Sequence, residues 1–287
     1  MRDAHPRIVL GLHRSRHRRP LIRTALDLGI DAIDTAYNYA DFASHSRLAD
    51  TVRDLLPRLT ISTKVGFFPT SGHAEHSLDP HRLRGAIEQT CRDLGMPPDT
   101  VFLHNPERSL TRLAPPHARR SLTAACLVLE EAAAAGLCRT WGIASWDPRG
   151  LPAAVSTDMP VPRALMVRAG LLAGVEVLDA ADTLAARWGL TPASVRGMSP
   201  FGGSITDPVW GGVDPRIFLA APAEASRVQA ALRVAHHLPR VDTVAVGSDD
   251  PEHLRELVQA LDHEIDTGKV ARYRALLGER AARQRAV

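Results

Sequence analysis

Cysteine is scarce in this chain, lysine scarcer still, and long hydrophobic runs are missing. Cys91, Cys126 and Cys138 are the only thiols in 287 residues, and their spacings match no zinc or cluster motif. An odd number gives no closed disulfide framework, so a reducing, cytoplasmic setting is expected, with the thiols as packing residues. No metal is expected. No segment is long and apolar enough for a membrane span, and "RIVLG" at 7–11 is too short for the core of a secretion signal. The balance of 35 Lys+Arg against 32 Asp+Glu leaves +3, with the arginines spread along the chain. Nucleic acid binding wants a concentrated basic stripe and is not expected. The glycine fingerprint of dinucleotide-binding open sheets is also absent: "GLHRSRH" stands where G-x-G-x-x-G would follow the first strand.

What is present is a regular alternation. Short β-branched or apolar runs occur at 7–11, 31–35, 59–64, 100–104, 140–144, 164–168, 194–199 and 242–247. Between them, apolar residues recur at helical spacing, as in Leu83, Ile87 and Leu94, or Leu122, Cys126 and Leu129. Start signals agree: "SLDPHRL" offers Ser77 or Asp79 as a cap before Pro80, and "SDDPEHL" repeats the device. Gly95, Gly136 and Gly189 follow the apolar stripes as stops. Eight strands alternating with helices over this length predict an α/β fold, a (β/α)8 TIM barrel, as a single domain over residues 1–287.

A barrel puts its chemistry at the C-terminal ends of its strands. Asp34 ends the second strand candidate, with Tyr37 and Tyr39 just beyond it; these are two of the three tyrosines in the chain. Lys64 ends the third, and His104 the fourth. Only two of the 35 basic residues are lysines, so Lys64 is conspicuous at a strand end, while Lys269 reads as a surface residue. A carboxylate, a phenol, an ammonium and an imidazole are thereby brought to one face.

These residues resemble the aldo-keto reductase family over nearly the whole chain. "GIDAIDTAYNYA" is similar to its second-strand signature, "LTISTK" to its third strand, "VFLHNPE" to its fourth and "SPFGG" to its seventh-strand turn. The resemblance implies a catalytic tetrad of Asp34, Tyr39, Lys64 and His104, a nicotinamide cofactor and a small carbonyl substrate reduced to an alcohol. Hydride delivery builds charge on the carbonyl oxygen, which calls for a proton donor. Tyr39 is that donor, Lys64 is expected to lower its pKa, Asp34 to hold the lysine and His104 to orient the carbonyl. Tyr37, Phe67 and Trp146 are the expected substrate contacts.

The resemblance carries the cofactor site over to Ser145, Met166, Met198, Ser199, Phe201, Gly202, Ser248, His253 and Glu256. Three of the family's polar or aromatic groups are replaced, by Trp146, Met166 and Met198. NADPH is the family's cofactor. Asp249 and Asp250 beside Ser248 oppose its 2′-phosphate, which makes NADH a competitor. The basic loop His13–Pro20 reads either as solvated chain or as a clamp for pyrophosphate or an acidic substrate. The stretch "FGGSITDPVWGGVDPRIF" reads as a flap or an irregular loop, with Trp210 and the segment from Phe67 to His76 at the mouth. Two other classes remain in view: a non-redox proton-transfer enzyme with an eroded cofactor site, and a non-catalytic binding subunit.

Overall fold

A computed structural model describes residues 7–13, 17–221 and 225–285. Residues 14–16 of the basic loop lie outside them. In chain order the elements are β1 (Arg7–Gly11), α1 (Arg19–Asp27), β2 (Ala32–Asp34), α2 (Ser44–Val52), β3 (Thr60–Val65), β4 (Phe67–Pro69), β5 (Ala74–His76), α3 (Pro80–Leu94), β6 (Thr100–His104) and α4 (Glu107–Leu110). There follow α5 (Pro115–Ala134), β7 (Thr140–Ser145), α6 (Leu151–Ala154), β8 (Ala164–Arg168), α7 (Val175–Arg187), β9 (Val195–Met198), α8 (Arg227–Ala235), β10 (Thr243–Val246), α9 (Pro251–Gln259) and α10 (Thr267–Arg285). The strands β1, β2, β3, β6, β7, β8, β9 and β10 pair in parallel and close into a barrel. These are the eight runs expected from the sequence: three keep their bounds, three are trimmed at both ends, and the runs at 59–64 and 140–144 each reach one residue further.

Two apolar layers explain the closure. Outward residues such as Ile61, Val101, Leu103, Ile143 and Val167 pack with Leu83, Ile87, Leu122 and Leu129 of the surrounding helices. Full burial of each such side chain stabilises the fold by roughly 1.5–3 kcal/mol. Inward residues Phe102, Ala144, Ala164 and Met166 form a separate plug inside the barrel. The plug is tight at Gly142: a Cβ there would lie 2.3 Å from the Ala164 carbonyl oxygen and 2.8 Å from the Phe102 ring.

The helix signals are realised with one choice resolved. Asp79, not Ser77, caps α3, accepting from the Arg82 N–H at 2.9 Å, and Asp250 caps α9 in the same way. Helices α1 and α10 were not among the expected stripes.

Two regions differ from their loop readings. The segment from Phe67 to His76 contains the antiparallel pair β4–β5. The stretch after β9 is pinned, not a loose flap, because Trp210, Phe218 and Leu219 are buried in a cluster with Ala230 and Val234 of α8 and Val270 of α10. Trp210 therefore belongs to this cluster and not to the mouth. No helix among the described residues is long and apolar enough to cross a membrane. Cys126 and Cys138 are buried and Cys91 half-buried, all three as free thiols. Lys269 pairs with Asp266 on the surface of α10.

Candidate active site

The site grows from the ends of β2 and β3. Backbone bonds continue past β2, with Thr35 N–H donating to the Ser62 carbonyl and Tyr37 N–H to the Lys64 carbonyl. This pairing holds the segment against β3 and delivers Tyr39 to Lys64. Directly after Tyr39, Ala40, Asp41 and Phe42 all take left-handed conformations, with φ of 51°, 54° and 65°. Each such non-glycine residue costs about 1–2 kcal/mol. Strain of this kind, concentrated beside a buried ion pair, marks a site that the surrounding structure over-determines.

The Lys64 ammonium is fully enclosed and uses all three of its N–H bonds. One goes to Asp34 Oδ2, one to the Thr35 carbonyl at 2.9 Å and one to the Tyr39 hydroxyl oxygen at 3.4 Å. The other Asp34 oxygen accepts from the Ser62 hydroxyl at 3.0 Å. Burial disfavours the ammonium, but Asp34 and Tyr39 outweigh it and Lys64 is raised above the ordinary lysine range. Tyr39 is also raised, mainly by burial, because Asp34 offsets part of the lowering by Lys64. The expectation that Lys64 would depress Tyr39 overall is thus corrected: the lysine acts in that direction and desolvation overrides it.

His104 stands beside this group. Its ring meets Tyr39 edge-on at 6.3 Å between centroids, and Phe67 lies edge-on to it at 4.9 Å. Burial, with Lys64 and His76 nearby, holds His104 well below the usual histidine range, so the ring is neutral. Its Nδ1 is buried and has no hydrogen-bond partner. His76 Nε2 donates to the His104 carbonyl at 2.7 Å while Nδ1 accepts from the Ser109 hydroxyl at 2.7 Å. Gly66 permits this approach: it has φ of 147°, and a Cβ would lie 2.9 Å from the His104 carbonyl oxygen.

Further support comes from residues that spacing did not reveal. His17, from the basic loop, is buried with Nε2 2.7 Å from Ser44 Oγ, which is 2.6 Å from Thr35 Oγ1. His45 Nε2 is 2.7 Å from Thr63 Oγ1, next to Lys64. Arg18 donates to the Asp249 carbonyl, tying the start of α1 to the loop after β10. Among the described residues of the basic loop, His17 and Arg18 are thus held by named contacts, and the His13 ring lies 4.7 Å from that of Tyr39.

A cavity of about 300 Å³ opens over the group, lined by Asp34, Tyr39 and Lys64 at one end and by Trp146, Met198, Ser199, Phe201 and Gly203 around its wall. Gly202 adjoins that wall. Gly11 and Gly247 line the β1–β10 side of the cavity, where their backbones run close together: a Cβ on Gly247 would come 3.5 Å from the Gly11 carbonyl oxygen, so neither residue puts a side chain into the cavity.

Other expected cofactor residues are placed elsewhere. Ser145 is fully buried and donates to Glu107 at 2.9 Å; Met166 is sealed in the barrel plug. Glu107, which spacing alone did not single out, also accepts the Trp146 and Asp147 N–H groups at 2.9 and 3.0 Å. Burial still raises its pKa despite these bonds. Ser248 closes on the backbone of Asp250, His253 is exposed near Asp250, and Glu256 accepts from Ser226 at the cap of α8. None of these three lines the cavity. Tyr37 packs among Phe42, His45 and Phe68, away from it. No group of three or more metal-ligating side chains is present among the described residues.

The closed parallel barrel with a buried Lys–Asp pair under a tyrosine defines the class. The sequence profile of the aldo/keto reductase family matches residues 13–195, more than half of the chain, and the chain belongs to that family. An aldo-keto reductase from Bacillus halodurans in its holo form is similar at a TM-score of 0.72 and 18% identity, over 94% of this chain and 91% of that one. Another from Klebsiella pneumoniae, solved in complex with NADPH, is similar at 0.69 and 21% identity, over 95% and 91%. At such identities the likeness is one of fold. No curated protein matches the chain.

Proposed function

We propose that the protein is an oxidoreductase that uses a nicotinamide dinucleotide to interconvert an aldehyde or ketone and the alcohol, with Tyr39 as the proton donor and acceptor. Family membership and the NADPH complex of the Klebsiella relative support the redox reading. The observation that carries the assignment to Tyr39 is the full use of the Lys64 donors. Because the third N–H enters a lone pair of the Tyr39 oxygen, the phenol's own proton turns away from the lysine and toward the cavity.

A nicotinamide dinucleotide, when bound, supplies a hydride to the carbonyl carbon. As charge grows on the carbonyl oxygen, Tyr39 gives up its proton and Lys64 stabilises the phenolate left behind. Asp34 keeps the ammonium in place. A buried bare lone pair costs less than a buried unmade N–H, so the proton of neutral His104 belongs on Nε2 and leaves Nδ1 bare. Nε2 is then the second donor for the substrate oxygen. Gly11, Met198, Phe201, Gly203 and Gly247 would hold the dinucleotide.

The family habit favours NADPH, whereas the loop after β10 favours NADH. There Arg255 is held by Glu252, so the guanidinium of that loop is already balanced by a carboxylate. A second reading, non-redox proton transfer by the same tyrosine, draws support from the withdrawal of Ser145 and Met166 from the cavity. Calorimetric titration with NADPH and NADH, followed by a carbonyl panel, separates these readings. Micromolar binding of either dinucleotide with turnover supports the proposal. Binding of neither defeats the redox reading.

A further inference from the structure

We propose that the substrate carries a carboxylate beside a flat ring, and that Arg168 and Trp146 read those two features; the inference rests on the carbonyl-reducing function of the same cavity. Trp146 is 46% exposed, an unusual state for so large an aromatic side chain, and it forms part of the cavity wall. Its backbone is fixed. The main-chain N–H donates to Asn105 Oδ1 at 3.0 Å and Glu107 Oε1 at 2.9 Å, and the main-chain carbonyl accepts from Arg168 Nε at 2.9 Å. The guanidinium lies 5.3 Å from the indole centroid. A half-bare indole on a fixed backbone at a cavity edge is a stacking surface.

Arg168 ends β8, in register with Met198 of the cavity wall. With Nε engaged by Trp146, its Nη1–Nη2 edge presents two parallel N–H groups that no carboxylate among the described residues takes up. Three acids close to Trp146 and the cavity are committed: Asp34 to Lys64, Glu107 to three donors, and Asp147 chiefly to Arg149 at 2.6 Å, with Arg168 acting on Asp147 only as a more distant charge. A planar pair of donors matches the two oxygens of a carboxylate better than a single charged point. Exposed Arg108, over the Phe67 ring at 5.5 Å, adds positive potential on the strand-end face of the barrel.

The test compares para-carboxybenzaldehyde with para-methylbenzaldehyde, which have the same ring and carbonyl. The protein is expected to favour the acid in kcat/KM by about 10- to 100-fold, the worth of a charge-assisted pair of hydrogen bonds. That ratio falls toward one in Arg168→Gln, falls partway in Arg168→Lys, and shrinks with added salt. Equal use of both aldehydes, or a ratio that survives Arg168→Gln in a folded variant, overturns the proposal. Calorimetry with para-(hydroxymethyl)benzoate and para-methylbenzyl alcohol needs no turnover. An Arg168-dependent preference for the acid in a protein that reduces nothing upholds the anion site and defeats the redox function. A loss of dinucleotide affinity in Arg168→Gln with the acid preference intact assigns Arg168 to the cofactor and overturns the inference.

Discussion

The Tyr39 hydroxyl oxygen accepts, at 3.4 Å, the one Lys64 N–H that Asp34 and the Thr35 carbonyl leave over. The lysine is thus at once the counter-ion of a buried carboxylate and the stabiliser of a future phenolate. Both roles have measurable consequences.

The first concerns pH. Tyr39 is raised above its ordinary value of 10.0, so the phenol remains protonated through neutral and mildly alkaline solution. Carbonyl reduction, which needs that proton, is expected to hold its kcat/KM until the pH passes about 10. Asp34 acts to raise Tyr39, so Asp34→Asn is expected to move the alkaline limb to lower pH. A pH–rate profile of the two proteins checks this; an unmoved or upward-shifted limb in the variant contradicts it.

The second concerns stability. Replacing Lys64 by Met strands the Asp34 carboxylate in the interior, and a loss of roughly 3–5 kcal/mol is expected in urea unfolding. The double variant Asp34→Leu, Lys64→Met removes both charges and is expected to be more stable than Lys64→Met alone. A double variant less stable than the single one shows that the pair contributes more than mutual neutralisation.

Three histidines set an acid limit. Burial lowers His45, His236 and His237 to about 4 from 6.5, helped by His17 for the first and by Arg233 for the others. A depressed histidine binds its proton first in the unfolded chain. The contribution of these three is therefore complete above about pH 6.5 and is lost as the pH falls toward 4, with the lowered His76 and His104 adding to the loss in the same direction. Urea midpoints from pH 7.5 to 4.5 measure the slope, and His45→Asn is expected to make it shallower. The same slope in wild type and variant rules out His45 as a contributor.

Much of this arrangement was legible in the residues themselves. The barrel strands are short β-branched runs between amphipathic stripes, and Asp34, Tyr39, Lys64 and His104 fall at or just past strand ends, where the fold itself places chemistry. What escaped depends on contacts between distant segments. Ser145 is drawn from the cavity by Glu107, 38 residues earlier, and no local pattern announces that bond. The strands β4 and β5 are too short for alternation to show. Trp210 sits amid glycine and proline, which read as loop, yet its side chain anchors that loop on α8. The direction of the Tyr39 shift required knowing how deeply the phenol is enclosed.

The left-handed run after Tyr39 was equally hidden, since "ADF" has no turn signature. Ala40→Gly removes a Cβ from a residue at φ 51° and is expected to raise stability by about 1 kcal/mol, less what the freer unfolded chain takes back. Thermal melts measure it. A clear loss of stability contradicts the reading of this turn as strained.

The most direct test of the account is single-turnover reduction by Tyr39→Phe with the dinucleotide already bound. Removing the phenol proton is expected to slow the chemical step by about 10²–10⁴-fold, with dinucleotide affinity kept within a few-fold of wild type. Reduction at the wild-type rate by a folded variant that binds its cofactor contradicts the assignment of proton transfer to Tyr39.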